Sequence, residues 1–230
     1  MNNKKFYFLS VLAFWILSGC ASVETKFEAF PKMYDENQKP LSIVVVPSIN
    51  KTTAADAAEL INSTLTQPFA DNGYYVLPIA ISSEIFKREG VVAGEQLINA
   101  PMSVFKNNFG ADAVLFITIN EWDKKYLIIA ANVTVGMSYV LMSTKDREIL
   151  WSYDAALTVD TAGQSSGFIL ADIISTAITT AVTDYVPIAS QVNNAAVGTL
   201  PFGSYHPKTG EDGDLKVVLT KAKERALDSD

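Results

Sequence analysis

Apolar and polar residues alternate in recognisable patterns between residues 42 and 79. The run SIVVVPS (42–48) is apolar and β-branched, which predicts a buried strand. Asn72 and Gly73 end the helical pattern that follows, and residues 74–79 form the next apolar run. A strand–helix–strand unit of this kind predicts a parallel pair. The helix presents one apolar stripe, made by Ala57, Leu60, Ile61, Thr64, Leu65 and Phe69.

The pattern changes to strict alternation in the second half of the chain. Pro101 and Gly110 bracket a short helix, and residues 111–122 predict a second central strand beside the first. In residues 129–141 and 149–159 the odd positions are apolar and many of the even ones are polar. Two such segments joined by the charged turn STKDRE predict an antiparallel hairpin with one buried face. The predicted fold class is therefore α/β, with a mixed sheet and helices packed on it.

Three further segments complete the pattern. Residues 168–186 carry a helical apolar stripe, and its polar face with Asp172 and Asp184 argues against a membrane span. Residues 216–227 predict a charged amphipathic helix or a frayed end. Residues 21–40 are polar and without period, which predicts a tether between the N-terminus and the body.

The N-terminus has the features of a secretory signal. Lys4 and Lys5 precede the apolar run Phe6–Leu17, which is too short to span a bilayer, and Ser18-Gly19-Cys20 follows. A small-residue cleavage site that ends on cysteine is typical of bacterial lipoproteins. We therefore expect cleavage between Gly19 and Cys20 and acylation of the Cys20 sulfur. The alternative is an ordinary signal peptide with a chance cysteine.

The predicted organisation follows from this signal. Residues 1–19 are the signal peptide, 20–40 the lipidated cysteine and tether, and 41–230 a single globular α/β domain with a loop-rich tail. Ala21 and Ser22 follow the cysteine in place of the aspartate that retains such proteins in the inner membrane. We therefore predict a protein anchored in the outer membrane, with its body in the periplasm.

Charge and cysteine content exclude several classes of function. Loss of residues 1–19 removes Lys4 and Lys5 and no acid, so the formal charge changes from −7 to −9. An acidic body does not suit nucleic acid, whose affinity depends on contacts between phosphates and Lys or Arg. Cys20 is the only cysteine of the chain. Its acylation excludes a disulfide, a thiol nucleophile and a cysteine metal site.

One sequence motif suggests catalysis. GQSSG (163–167) matches the G-x-S-x-G of α/β-hydrolases, with Ser165 followed by Asp172 or Asp184 and then His206. The strand before it is half polar and belongs to the hairpin, whereas a nucleophile elbow follows a buried parallel strand. We therefore predict a Gly/Ser connection and no catalytic residue.

Two other groups of polar residues have simpler interpretations. His206 lies among Pro and Gly residues, which predicts a rigid surface loop, and Glu121 with Asp123 predicts a solvated strand end. No closely spaced set of His, Asp and Glu indicates a metal site. We predict a protein that is not an enzyme and has no metal or cofactor.

Several stretches resemble a known family in order and spacing. They are VVPSINKT, PFADNGYYVLPIA, PMSVFKNNFGADAVLFITI, REILWSY and LPFGSYHPKTGED. The chain resembles bacterial outer-membrane lipoproteins of unknown function, typified by a genome-derived neisserial antigen. Part of it is also similar to the curli-secretion-channel lipoprotein, to the amino-terminal domain of TolB and to lipoprotein activators of penicillin-binding proteins.

This resemblance implies a mixed-sheet domain used for protein contacts at the envelope, and it brings no catalytic residues. We expect a non-catalytic component of an envelope or secretion assembly. Its partners would be outer-membrane lipid, envelope proteins such as a curli-channel-like lipoprotein, and possible further copies of the chain. The alternatives are a regulator of peptidoglycan synthesis and a serine hydrolase that uses Ser165.

Overall fold

The computed structural model describes residues 22–126, 131–160 and 185–219. The predicted signal peptide, Cys20, the GQSSG motif and nearly all of the predicted helix at 168–186 lie outside these residues.

Strands and helices alternate in the first half of the described chain and long strands dominate the second. The helices are α1 Lys26–Ala29, α2 Ala57–Asp71, α3 Ile79–Arg88, α4 Met102–Phe109 and α5 Val186–Thr199. The strands are β1 Ser22–Thr25, β2 Ser42–Val45, β3 Ile49–Asn50, β4 Tyr75–Val76, β5 Ala113–Tyr126, β6 Ala131–Ser143, β7 Ile149–Asp160 and β8 Lys216–Leu219. Single turns of 3-10 helix occur at Pro31–Tyr34 and Gly94–Leu97.

The main sheet is mixed, as predicted. Among the described residues its strands follow the order β4-β2-β5-β6-β7, and β3 also pairs with β5. β2 is parallel to both β4 and β5, whereas β6 is antiparallel to both β5 and β7. The strand–helix–strand unit, the second central strand and the hairpin are therefore confirmed. β1 and β8 form a separate antiparallel pair.

One face of the sheet carries the larger core. The odd positions of the hairpin point into it, including Val135, Tyr139 and Trp151, all fully buried. Helices α2 and α5 cover this face with their own apolar stripes. The Tyr139 hydroxyl donates to Asn193 Oδ1 at 2.6 Å, which joins β6 to α5. The predicted buried face of the hairpin is confirmed.

The opposite face is covered over part of its length. Phe86 of α3 and Phe105 of α4 pack against the even positions Val140 and Met142. Farther along the same face, Thr134 and Thr158 share a hydrogen bond of 3.0 Å and are only half-buried. The hairpin therefore buries two faces near its turn and one face elsewhere, which the alternation alone did not predict.

The predicted tether is wrong over residues 22–40. β1 pairs with β8, α1 follows at once, and Phe30 and Met33 are buried in the larger core. Residue 41 is therefore no domain boundary. The segment lacks a single period because its conformation changes about every four residues, although Thr25-Lys-Phe-Glu28 is a capping box that marks the start of α1.

Three other elements differ from the sequence prediction. Lys216–Leu219 form strand β8, where we predicted a helix or a frayed end, because Val217 is buried against the core. Helices α3 and α5 were not predicted. The buried stripe of α5 includes the small residues Ala189 and Ala196 and the polar Asn193, so it contrasts only weakly with the rest of the helix in sequence.

Candidate functional site

Most of the residues that the sequence singled out lie outside the part of the chain that the structure describes. Gly19, Cys20, Ser165, Asp172 and Asp184 lie outside the described residues. Glu121 is exposed, as predicted, but it lies within β5 and not at the end of the strand. Asp123 follows it on the same strand, in register with Thr134 of β6.

His206 lies in the turn-rich loop before β8, as predicted. Its ring stacks on Phe202, with the ring centroids 3.7 Å apart, and its Nδ1 accepts a hydrogen bond from the Lys208 backbone N–H at 3.1 Å. Within the described ranges, no group of three or more His, Cys, Asp or Glu side chains is placed to hold a metal ion. The contacts of His206 therefore stabilise the conformation of its loop.

The polar centre of the described structure is a buried ion pair between the two ends of the chain. Lys26 Nζ donates to Asp212 Oδ2 at 3.1 Å and to the Leu200 carbonyl at 2.9 Å. Both charged side chains are almost wholly excluded from solvent. Asp212 also accepts from the Phe202 backbone N–H at 2.9 Å and from the Tyr34 hydroxyl at 3.2 Å. We call Lys26, Tyr34 and Asp212 the clasp.

Burial shifts the pKa of Tyr34 and the pKa of Lys26 in the clasp in opposite directions. Burial raises the pKa of Tyr34, and the Asp212 carboxylate adds to this effect. Burial lowers the pKa of Lys26, and its hydrogen bond and attraction to Asp212 oppose that change. The hydrogen bonds of Asp212 come from Lys26, Tyr34 and the Phe202 backbone. The arrangement therefore fixes chain segments to one another and offers no group positioned as a general acid or base.

A close backbone approach holds the loop after α5 against the C-terminus of α2. Gly73 has φ +89°, and a Cβ there would lie 2.4 Å from the His206 backbone nitrogen. The Gly203 N–H donates to the Asn72 carbonyl at 2.8 Å, and the Tyr74 hydroxyl donates to the Pro201 carbonyl at 2.7 Å. The shape of this junction depends on backbone atoms that a side chain at Gly73 would displace.

Apolar side chains are exposed where the chain enters the described structure. Val23 of β1 is 61% exposed, Phe27 of α1 is 55% exposed and Leu215 before β8 is 53% exposed. Phe27 N–H donates to the Gly213 carbonyl at 3.1 Å, and Lys26 N–H donates to the Leu215 carbonyl at 2.8 Å. These bonds bring the backbone of Leu215 next to Lys26, the residue that precedes Phe27. We call Val23, Phe27 and Leu215 the entry surface.

A cleft of about 740 Å³ lies at the end of the sheet where β2 and β5 begin. Asp112 in its wall pairs with Lys106 at 2.7 Å and accepts from the Ser42 N–H and hydroxyl. Burial alone would raise the pKa of Asp112, but these donors hold it below its usual value. The Asp112 carboxylate therefore joins the starts of β2 and β5, and groups of the protein itself donate its hydrogen bonds.

A second cleft, of about 640 Å³, lies between α2 and α3. Ser48 Oγ and Asn62 Oδ1 line it and have no hydrogen-bond partner within the described part of the chain. Buried oxygens of this kind accept hydrogen bonds from water or a bound donor.

Within the described part of the chain, none of the helices is long and apolar enough to cross a membrane.

The sequence was compared with known families and structures. A family model described as "Putative lipoprotein GNA1162-like" matches residues 33–202, more than half of the chain. The chain belongs to this family.

The chain is also similar to individual proteins and solved structures. The "Putative lipoprotein NMB1124/NMB1162" of Neisseria meningitidis is 27% identical over 165 residues, which cover 72% of this chain and 76% of the relative. The crystal structure of lipoprotein GNA1162 from the same organism is 29% identical, with a TM-score of 0.51, over 54% of this chain and 87% of that one. A PelC dodecamer from Paraburkholderia phytofirmans has a TM-score of 0.45 and 15% identity over 79% of this chain and 97% of that one.

Part of the clasp lies outside the segment that defines the GNA1162-like family. Tyr34 falls within residues 33–202, whereas Lys26 and Asp212 flank that range. Sequence reasoning missed all three residues. A lysine and an aspartate that stand 186 positions apart carry no spacing signal. The only indication was that Asp212 ends the distinctive stretch LPFGSYHPKTGED.

Proposed function

We propose that this GNA1162-like protein is acylated at Cys20, is anchored in the outer membrane and acts there without catalysis, by binding other envelope proteins. The signal-like N-terminus supports the anchor. The family's description as lipoproteins supports it independently.

The observation that carries this proposal is the attachment of the N-terminal segment to the body. β1 begins at Ser22, two residues after Cys20, and pairs with β8. Lys26 then enters the core and meets Asp212. An acyl group on Cys20 would therefore hold the whole body at the membrane, and not a loosely attached domain at the end of a tether. This is a suitable arrangement for a component that must present a fixed surface to a membrane-bound partner.

The non-catalytic part of the proposal rests on what the described polar side chains already do. Asp212, Asp112 and Asn193 use their oxygens to connect segments of the fold. Among the described residues, part of the second sheet face and the two clefts are not filled by other side chains and can receive a partner. The alternative of a serine hydrolase would need a proton acceptor beside Ser165, and the Nδ1 atom of His206 already accepts a hydrogen bond from the Lys208 backbone N–H.

The anchor is tested with Cys20→Ser and, as a matched control, Ala21→Ser. We expect wild type and Ala21→Ser to incorporate radioactive palmitate and to fractionate with outer membranes. Cys20→Ser should incorporate none and fractionate as a soluble protein, because the acylated sulfur is absent. Equal membrane association of the two variants, with no acyl chain detected in the intact mass of either, would contradict the anchor.

The binding role is tested by chemical crosslinking in intact cells and recovery through a C-terminal affinity tag. We expect one envelope protein to be recovered with wild type and lost with Cys20→Ser, since the soluble variant no longer meets it at the membrane. Recovery of a peptidoglycan synthase would favour the alternative role in peptidoglycan synthesis. Labelling of Ser165 by a fluorophosphonate probe would contradict the non-catalytic assignment.

A further inference from the structure

The entry surface has the position and the chemistry of a membrane contact. We propose that Val23, Phe27 and Leu215 lie against the bilayer that holds the acyl chains of Cys20, so that the body rests on the membrane in one orientation. This inference depends on the proposed acylation of Cys20.

The length of chain between the anchor and the fold limits where the body can be. Val23 lies three positions after Cys20, and an extended chain spans at most about 3.6 Å per residue. The Cα atom of Val23 is therefore within about 11 Å of that of Cys20. The polar headgroup layer on each side of a bilayer is itself about 5–8 Å thick. An acylated Cys20 thus brings β1 to the interface.

The fold leaves β1 and α1 little freedom to turn away from the membrane. β1 is hydrogen-bonded to β8 from Ser22 onward, and α1 begins directly after it. The Phe27 ring lies 5.4 Å from the ring of Tyr34, which itself bonds Asp212. The side chains of the entry surface are therefore presented by backbone that is fixed to the core.

The composition of the surroundings indicates which kind of attraction operates. Glu28, Glu211 and Asp214 are exposed near Phe27 and Leu215, while Lys216 is the exposed cation on β8. Hydrogen bonds from Thr25 lower the pKa of Glu28, so its charge is present at neutral pH. This environment does not favour anionic headgroups. Insertion of apolar side chains into a zwitterionic interface fits it better.

The absence of a second cysteine makes the contact measurable. Since Cys20 is the only cysteine and is consumed by acylation, a cysteine introduced at Phe27 can be labelled alone with a nitroxide. The mature protein, acylated at Cys20 and carrying Phe27→Cys, is placed in phosphatidylethanolamine–phosphatidylcholine vesicles. Collision of the label with oxygen, which enters lipid, is compared with collision with a water-soluble nickel chelate. Val92→Cys is the matched control, since Val92 is 76% exposed and lies in the loop after α3.

We expect the ratio of oxygen to nickel collisions at residue 27 to exceed that at residue 92 several-fold in vesicles, and to be unaffected by salt. Val23→Cys should behave like Phe27→Cys, which guards against a local effect of losing the Phe27 ring. Equal, water-like ratios at all three sites in vesicle-bound protein would overturn the inference and leave the anchor intact. Spin–spin broadening at residue 27 without lipid would assign the surface to a second copy. Lack of vesicle binding, with an unlipidated mass, would overturn both proposals.

Discussion

Lys26 and Asp212 show how much a single buried pair decides at the scale of the residue. Each is almost fully excluded from solvent, and each has its charge balanced by the other. A buried charge without a partner is far more unfavourable than the same charge at the surface. The pair therefore makes the position of the N-terminal segment, next to the predicted anchor, a condition for stable folding of the body.

Lys26→Met should lower the free energy of unfolding by about 3–5 kcal/mol, because it leaves the Asp212 carboxylate buried without its cation. Lys106→Met is the matched control. Its ion pair with Asp112 has a similar length but is half-exposed, so its loss should cost only about 0–1 kcal/mol. Urea denaturation followed by circular dichroism measures both. Equal losses in the two variants would show that burial does not distinguish the pairs.

At the scale of the element, the junction between α2 and the loop before β8 depends on the absence of side chains. Gly73 ends α2 in a left-handed conformation, as the Asn-Gly pair predicts. The local sequence explains the positive φ, but the contact of Gly73 with the backbone of His206 is a property of the assembled fold. Gly90, which follows α3 with φ +78°, has the same conformation and no neighbouring atom within 4 Å of a Cβ.

Gly73→Ala and Gly90→Ala separate these two effects. Both should lose about 1–2 kcal/mol of stability, since both place a Cβ in the left-handed region. Gly73→Ala should lose at least about 1–3 kcal/mol more, because its Cβ must displace backbone atoms of the loop. The difference between the two urea midpoints measures this contact. If both variants lose the same amount, the loop moves away from α2 without cost.

For the molecule as a whole, buried tyrosines set the response to alkaline pH. Burial raises the pKa of four tyrosines above the usual value of 10.0, and they are Tyr34, Tyr74, Tyr139 and Tyr153. Above about pH 10 the unfolded chain loses these protons while the folded protein keeps them. Stability is therefore complete below pH 10 with respect to these groups and falls as pH rises.

We expect the free energy of unfolding to decrease from pH 10 to pH 11.5, with a slope of up to about 1.4 kcal/mol per pH unit for each tyrosine. The lowered pKa of Lys26 and Lys39 acts in the opposite sense, but only up to the lysine value of 10.5. Tyr139→Phe should make the slope shallower by one proton, even though it also removes the bond to Asn193. Unfolding free energies that stay level to pH 11.5 would contradict this assignment.

The sequence by itself determined the features that depend on local order. A period of two residues placed Tyr139 and Trp151 on a buried face, and a helical stripe placed Leu65 and Phe69 against it. Asn72-Gly73 and Gly110 ended their helices as expected. The distinctive stretches also led to the correct family. Each of these signals lies within a few consecutive residues, where backbone geometry repeats and the pattern of burial follows it.

Only the tertiary structure decided how distant segments meet. It placed residues 22–40 on the body and not in a tether, made Lys216–Leu219 a strand, and joined Lys26 to Asp212. It also determined which part of the second sheet face α3 and α4 cover. β1 and β8 are only four residues long, and neither would be stable without its partner. Their conformation is a consequence of pairing across almost the whole chain, which no short stretch of sequence specifies.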